Sequence, residues 1–109
     1  MKLCWICAAF AALMFAGVKQ SLADEVLARE FGCFECHNRA DNKVIGPSFS
    51  EIAVKNRDNA LARDALIAVV KNGGKGNWTE VSRGVPMPPY SPRLSNVEIE
   101  LLVDWVLGH

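Results

Sequence analysis

Past residue 23 this chain of 109 residues holds only two cysteines, two histidines and one methionine, and each scarcity excludes something. Two cysteines cannot build the disulfide framework on which many small exported domains rely. No nucleophile–base pair and no pair of facing carboxylates stands out, which removes the usual hydrolytic arrangements. With 12 Lys+Arg against 12 Asp+Glu the chain lacks the basic excess of a nucleic-acid binder. Strand signals are sparse, and the one candidate, 81–85, is too broken to count. Repeats, low-complexity tracts and internal linkers are all missing, so a single soluble domain is expected.

What is abundant is apolar sequence at the start. Of the first 23 residues 18 are apolar. Lys2 precedes an apolar and small-residue run from Leu3 to Val18, and Ser21-Leu22-Ala23 puts small residues where a signal peptidase cuts. This pattern reads as a secretory signal peptide over 1–23, followed by one domain over 24–109. The competing reading is a retained membrane anchor, although the 16 uncharged residues between Lys2 and Lys19 fall short of the roughly 20 that span a bilayer. Cys4 and Cys7 leave with the signal. Cleavage leaves ten basic against twelve acidic residues, a net −2. It also leaves no membrane span and places the domain in an oxidising compartment, a bacterial periplasm. A domain this short has a thin core and benefits from an added staple.

The mature segment is expected to be all-α. Residues 24–31 carry Val26, Leu27 and Phe31 behind acidic first-turn residues, where the helix dipole favours negative charge. A second helix is expected from a cap at Asp58 or Asn59 to about Asn72, with Leu61, Ala65, Leu66, Val69 and Val70 on one stripe and Gly73-Gly74 as the stop. Ser95 and Glu98 fit a capping box that opens a last helix. There Val97, Leu101, Leu102, Trp105 and Val106 recur at three- and four-residue spacings. Residues 50–55 fit a further short helical turn.

The chemistry sits in Cys33-Phe34-Glu35-Cys36-His37, the C-x-x-C-H pattern of covalent haem attachment. On one helical turn, positions i, i+3 and i+4 share a face. Two sulfurs can then reach the two vinyl groups of one porphyrin while the imidazole meets the iron. A thioredoxin-like dithiol would want a preceding strand and a βαβ setting. A zinc site needs four ligands and would have to recruit His109 from the end of the chain. A plain disulfide would close a very small ring and leave His37 unexplained. For the other axial position Met87 is the one methionine past the leader, held in Pro86-Met87-Pro88-Pro89 between residues of fixed φ. Thioether ligation of this kind raises the reduction potential. Lysines and His109 are the fallback ligands.

On these residues the chain resembles the class I c-type cytochromes, most nearly the small bacterial cytochrome c-551/c-552 group, over nearly all of 24–109. Residues 32–37 resemble the group's attachment turn, 45–49 its glycine–proline loop and 71–78 the helix end leading to its tryptophan. Residues 85–89 resemble its methionine loop, and 94–107 its C-terminal helix. The stretch 79–85 is a few residues longer than usual. The resemblance implies a class I fold of about four helices wrapped around one covalently attached haem c. It implies that the Pro47 carbonyl orients His37, that Trp78 lies near a haem propionate, and that Phe31 packs near Trp105. The function it implies is that of a monomeric one-electron carrier, not an enzyme. Such a carrier docks briefly with redox-protein donors and acceptors, across a surface that Lys43, Lys71, Lys75 and Arg83 could ring. Two other readings stay open: a haem subunit of an oxidoreductase complex, and a haem enzyme or sensor whose Met87 lets go of the iron.

Overall fold

The computed structural model describes residues 22–40, 45–74 and 83–109. Most of the predicted leader, together with Trp78, Lys43 and Lys75, lies outside the described residues. The described chain is helical: α1 (22–30), a single turn α2 (Cys33–Cys36), α3 (Phe49–Asn56), α4 (Ala62–Asn72) and α5 (Asn96–Leu107). Among these residues the only β pairing is an isolated bridge between Gly74 and Met87. No described helix is long and apolar enough to cross a membrane.

Local chemistry sets the helix ends. The Ser95 hydroxyl accepts from the Glu98 amide at 3.1 Å, and the Glu98 carboxylate accepts from the Ser95 amide at 2.9 Å. This is the expected box, and it satisfies two backbone donors that a helix start leaves open. The same reciprocal pair forms between Ser48 and Glu51 at 3.0 and 3.1 Å, so α3 starts at Phe49 and is a full helix rather than a turn. The α4 start differs from expectation. Asn59 acts just ahead of the helix, its side chain accepting from Leu61 at 3.0 Å and its carbonyl from Ala62 at 3.1 Å. The helix therefore begins at Ala62. Gly73 ends it as expected, with φ +71.

α5 is the central beam, packed against both α3 and α4. Its Ile99, Leu102 and Val103 form the core with Ala28 of α1 and with Tyr90 and Leu94 of the preceding loop. The inward face is rotated from the predicted stripe: Val97 is 64% exposed while Ile99 is fully buried. The physical reason is charge: Val97 shares its face with the exposed Glu100 and Asp104, at i+3 and i+7, whereas Ile99, Leu102, Val103 and Val106 form an unbroken apolar stripe. On α4 likewise, Leu61 is 77% exposed and Ala62 is the buried residue. Its small side chain lets the start of α4 approach its neighbours. Outside the core, Arg63 of α4 clasps Asp104 of α5 through two hydrogen bonds of 2.7 and 3.1 Å.

The aromatic packing also differs in detail. Phe31 packs on the core cluster, but the rings that meet Trp105 are those of Phe34, Phe49 and His109, with centroids 6.0, 5.1 and 4.5 Å away.

Candidate functional site

A cleft of about 390 Å³ opens between the α1–α2 corner, the inner faces of α4 and α5, and the loop 83–94. Cys33, Cys36, His37, Pro47 and Met87 all line it. Residues separated by fifty positions in the chain thus reach one apolar space.

The α2 turn places the cysteines. Gly32 precedes it with φ +75 and accepts from the Glu35 amide, and the His37 amide closes on the Cys33 carbonyl at 2.9 Å. Both cysteines are free thiols and half-buried. Burial pushes the Cys33 thiol above its ordinary pKa, with a smaller contribution from Cys36; it stays neutral. Among the described residues no three His, Cys, Asp or Glu side chains gather where they could hold a metal ion. The zinc reading therefore has no ligand set there.

His37 is fixed on three sides. Its Nδ1 lies 2.7 Å from the Pro47 carbonyl oxygen. A carbonyl only accepts, so Nδ1 carries the proton and Nε2 keeps an unshared pair. The Phe49 ring stacks alongside, 5.6 Å away at 24°. Gly46 closes against the imidazole: a Cβ there would sit 2.7 Å from Cε1 and 3.0 Å from Nδ1. Burial holds the His37 pKa below its ordinary value, against a smaller opposing effect of the Pro47 hydrogen bond. Both the tautomer and the lowered pKa suit a metal ligand, which must be neutral.

Met87 sits on a loop tied to the end of α4. Its amide donates to the Gly74 carbonyl at 2.8 Å and its carbonyl accepts from Gly74 at 2.9 Å; Tyr90 then donates to Val70 at 3.0 Å and Ser91 to Lys71 at 3.2 Å. The loop thereby satisfies carbonyls that the last turn of a helix cannot pair internally. Gly73 makes the approach possible, because a Cβ there would lie 2.5 Å from the Met87 oxygen. Gly73→Ala should lose about 2–3 kcal/mol in urea unfolding, from the left-handed backbone and the clash together. Gly74→Ala, with φ +130 but nothing within 4 Å, should lose about half as much. Equal losses would remove the clash from the account.

Among the described residues the fallback ligands lie off the cleft. His109 turns its ring onto Trp105 and Phe49, its Nδ1 lies 3.0 Å from the Trp105 oxygen, and it is not among the cleft-lining residues. No described lysine lines the cleft. Of the four cations expected to ring the docking surface, Lys43 and Lys75 lie outside the described residues. Ile45 and Val85 are 37% and 48% exposed at the mouth, beside Pro86 and Pro88, with Glu35 and Arg93 as the charged residues. Lys71 and Arg83 are not among its lining residues. Three residues had no individual role assigned from the sequence. Ser48 carries a legible S-x-x-E signal, whereas Gly46 and Tyr90 gain their meaning only from what packs against them.

An apolar cleft, two free thiols on its wall, a neutral imidazole with an open Nε2 and a thioether on a pinned loop fit a haem c. Comparison with known proteins points the same way. A family model described as cytochrome c oxidase, cbb3-type, subunit III matches residues 23–106. The chain is 41% identical to cytochrome c-551 of Allochromatium vinosum over 100 residues, covering 92% of this chain and 98% of that one. It is 42% identical to cytochrome c-551 of Azotobacter vinelandii over 85 residues, covering 78% and 95%. Its structure is similar to the crystal structure of a class 1 cytochrome from Sideroxydans lithotrophicus, with a TM-score of 0.66 and 35% identity over 79% of this chain and 91% of that one.

Proposed function

The chain belongs to the class I c-type cytochromes, and from that premise we propose which of its residues serve its one-electron transfer and where they work. It is an electron-transfer protein with one covalent haem c, not an enzyme. The bound group supplies an iron couple that accepts and returns one electron. Cys33 and Cys36 add their thiols across the two vinyl groups, sulfur to one carbon and hydrogen to the other, so no oxidant is needed. His37 would offer its Nε2 pair to the iron, and Met87 its sulfur. Pro47 keeps the imidazole in one tautomer and orientation. Pinning of the Met87 loop to α4 lets the ligand set stay in place in both oxidation states. Ile45, Val85, Pro86 and Pro88 offer a small apolar rim on which a redox partner docks and leaves. The apolar leader over 1–23 supports export of the domain 24–109 to a periplasm, where it acts as a monomer.

The single observation that carries this reading is the His37–Pro47 hydrogen bond of 2.7 Å, because it commits one ring nitrogen and frees the other inside a cleft that also holds both thiols and the thioether. The family model's wording favours a second reading, a subunit of an oxidase complex. Matches over 98% and 95% of the relatives' own lengths support the separate carrier. A redox titration of the purified exported protein tests the reading. The expected result is one n = 1 transition, a near-infrared sulfur-to-iron band in the ferric form and pigment that survives acidified acetone. Pigment extracted by the acetone, or a ferric form without that band, would overturn it.

A further inference from the structure

Both nitrogens of the His37 ring are committed: Nδ1 meets the Pro47 carbonyl oxygen, and on the reading above Nε2 meets the iron. The face of the ring is occupied as well. Phe49 stacks on it with centroids 5.6 Å apart at 24°, and Phe49 is itself only 3% exposed. From Phe49 the contacts continue outward. Its ring lies 5.4 Å from His109 and 5.1 Å from Trp105, and those two are 4.5 Å apart at 88°. Ring centres at these separations put ring edges in contact. His109 is held twice: its amide donates to the Val106 carbonyl at 3.2 Å and its Nδ1 to the Trp105 carbonyl at 3.0 Å. It is partly exposed and does not line the cleft. Another branch runs from Phe49 to Phe34, 5.3 Å away, but the guanidiniums of Arg29 and Arg39 flank that ring, 4.3 and 5.9 Å from its centre. Aromatic contacts thus run without a break from the histidine ligand to His109, outside the cleft.

An electron tunnels more readily through atoms in contact than across a gap of the same length. We propose that Phe49 and His109 form an electron-transfer bridge, in which Phe49 couples the His37 imidazole to His109 and gives the iron a second outlet besides the apolar rim. The inference rests on His37 being an axial ligand. The step is a single electron transfer: ferrous iron becomes ferric, a one-electron metal centre in a redox partner is reduced, and no bond or proton moves. The rings stay closed-shell throughout, because a haem cannot oxidise phenylalanine. They are a medium for the electron and never its carrier. Trp105 braces both rings from the side. An outlet off the cleft lets an electron leave while another protein covers the rim at Ile45 and Val85.

His109 is the one histidine past residue 23 besides His37, and its Nε2 is the nitrogen left free. A ruthenium bis(bipyridine) imidazole complex can therefore be coordinated there alone. In the haem-loaded ferrous protein, flash oxidation of the ruthenium then reads the rate at which the iron's electron reaches His109. Phe49→Leu should lower that rate about tenfold, because leucine leaves a gap where ring edges touched. Phe49→Tyr keeps the ring and should hold the rate. The comparison is a Val85→His/His109→Gln protein with the same label at the cleft mouth, where Phe49→Leu should leave the rate unaltered. A changed driving force or a loosened fold would slow both labels alike. Equal slowing of the two labels, or no slowing at His109, would overturn the proposal, as would a Phe49→Tyr protein as slow as Phe49→Leu. Where Phe49→Leu fails to load haem, Phe49→Met, also without a ring, takes its place. A wild-type protein without a low-spin haem spectrum would strike the His37 assignment itself, a failure distinct from a low-spin protein whose rates ignore Phe49.

Discussion

Met87→Ala should lower the reduction potential by a hundredfold change in the redox equilibrium or more, about 120 mV at 59 mV per decade, and the ferrous protein should take up carbon monoxide at neutral pH. The argument is one of supply. Past residue 23 the chain has no second methionine. His109 is held against Trp105 and Phe49, and no described lysine lines the cleft. Nothing among these residues can replace the sulfur, which is the soft ligand that favours reduced iron. The loop itself should survive, because the Gly74–Met87 bridge and the Tyr90–Val70 bond use backbone atoms alone. Stability should therefore fall by only the about 2–5 kcal/mol usual for truncating a partly buried methionine. A large change in potential with retained fold separates loss of a ligand from loss of packing. Val85→Ala, on the same loop and 48% exposed, serves as the control and should leave the potential where it was. An unchanged potential and spectrum in Met87→Ala would strike Met87 from the ligand set.

The parts of this site that were legible in the sequence are those whose chemistry is short-range. The spacing of Cys33 and Cys36 is a property of one helical turn, which α2 supplies, and His37 follows directly in extended backbone. The Ser95–Glu98 box is likewise a four-residue event. Ser48 and Glu51 carry the same signal, but Pro47 and Phe49 beside them read as loop and masked it. Faces were legible too. On α5 the stripe through Ile99, Leu102, Val103 and Val106 was there to be read, because the face of Val97 carries Glu100 and Asp104. At the start of α4, Ala62 keeps the i, i+4, i+7, i+8 spacing with Leu66, Val69 and Val70, whereas Leu61 precedes the helix and falls off that stripe. Gly46 and Gly73 are the clearest case of what spacing does not encode. Their lack of a side chain matters because the His37 ring and the Met87 carbonyl press against them, and those neighbours are brought in by the fold. Of the cations expected around the docking surface, Lys43 and Lys75 lie outside the described residues, while Ile45 and Val85 add exposed apolar surface beside the cleft.

The double variant Cys33→Ala/Cys36→Ala should lose cooperative unfolding altogether. The described core is small: its cluster is Ala28, Tyr90, Leu94, Ile99, Leu102 and Val103, with Phe49, Ile52, Ala53 and Ala62 the other buried apolar residues, and several neighbours of the cluster, Leu66, Val70, Met87 and Trp105 among them, also face the cleft. A cleft of about 390 Å³ lies where a larger domain would have further side chains. Without a bound group its apolar walls meet water. Covering a few hundred Å² of such surface contributes about 10 kcal/mol at 25 cal/mol per Å², which equals the entire net stability of an ordinary domain. The elements on either side depend on that filling. α2 is a single turn, and α1 contributes Ala28 to the core cluster. The Met87 loop gains its backbone bonds only once α4 and the cleft are in place. The two thioethers keep the group from leaving during local opening, so their removal converts a permanent staple into a ligand that dissociates. Far-ultraviolet circular dichroism should show reduced and non-cooperatively melting helix in the variant, against a sharp transition in the wild type. The single variants Cys33→Ala and Cys36→Ala, each with one thioether left, should keep that sharp transition at lower temperature. A double variant that melts as sharply as the wild type would mean that the helices hold one another without the haem, and that the cleft is a consequence of the fold rather than its foundation.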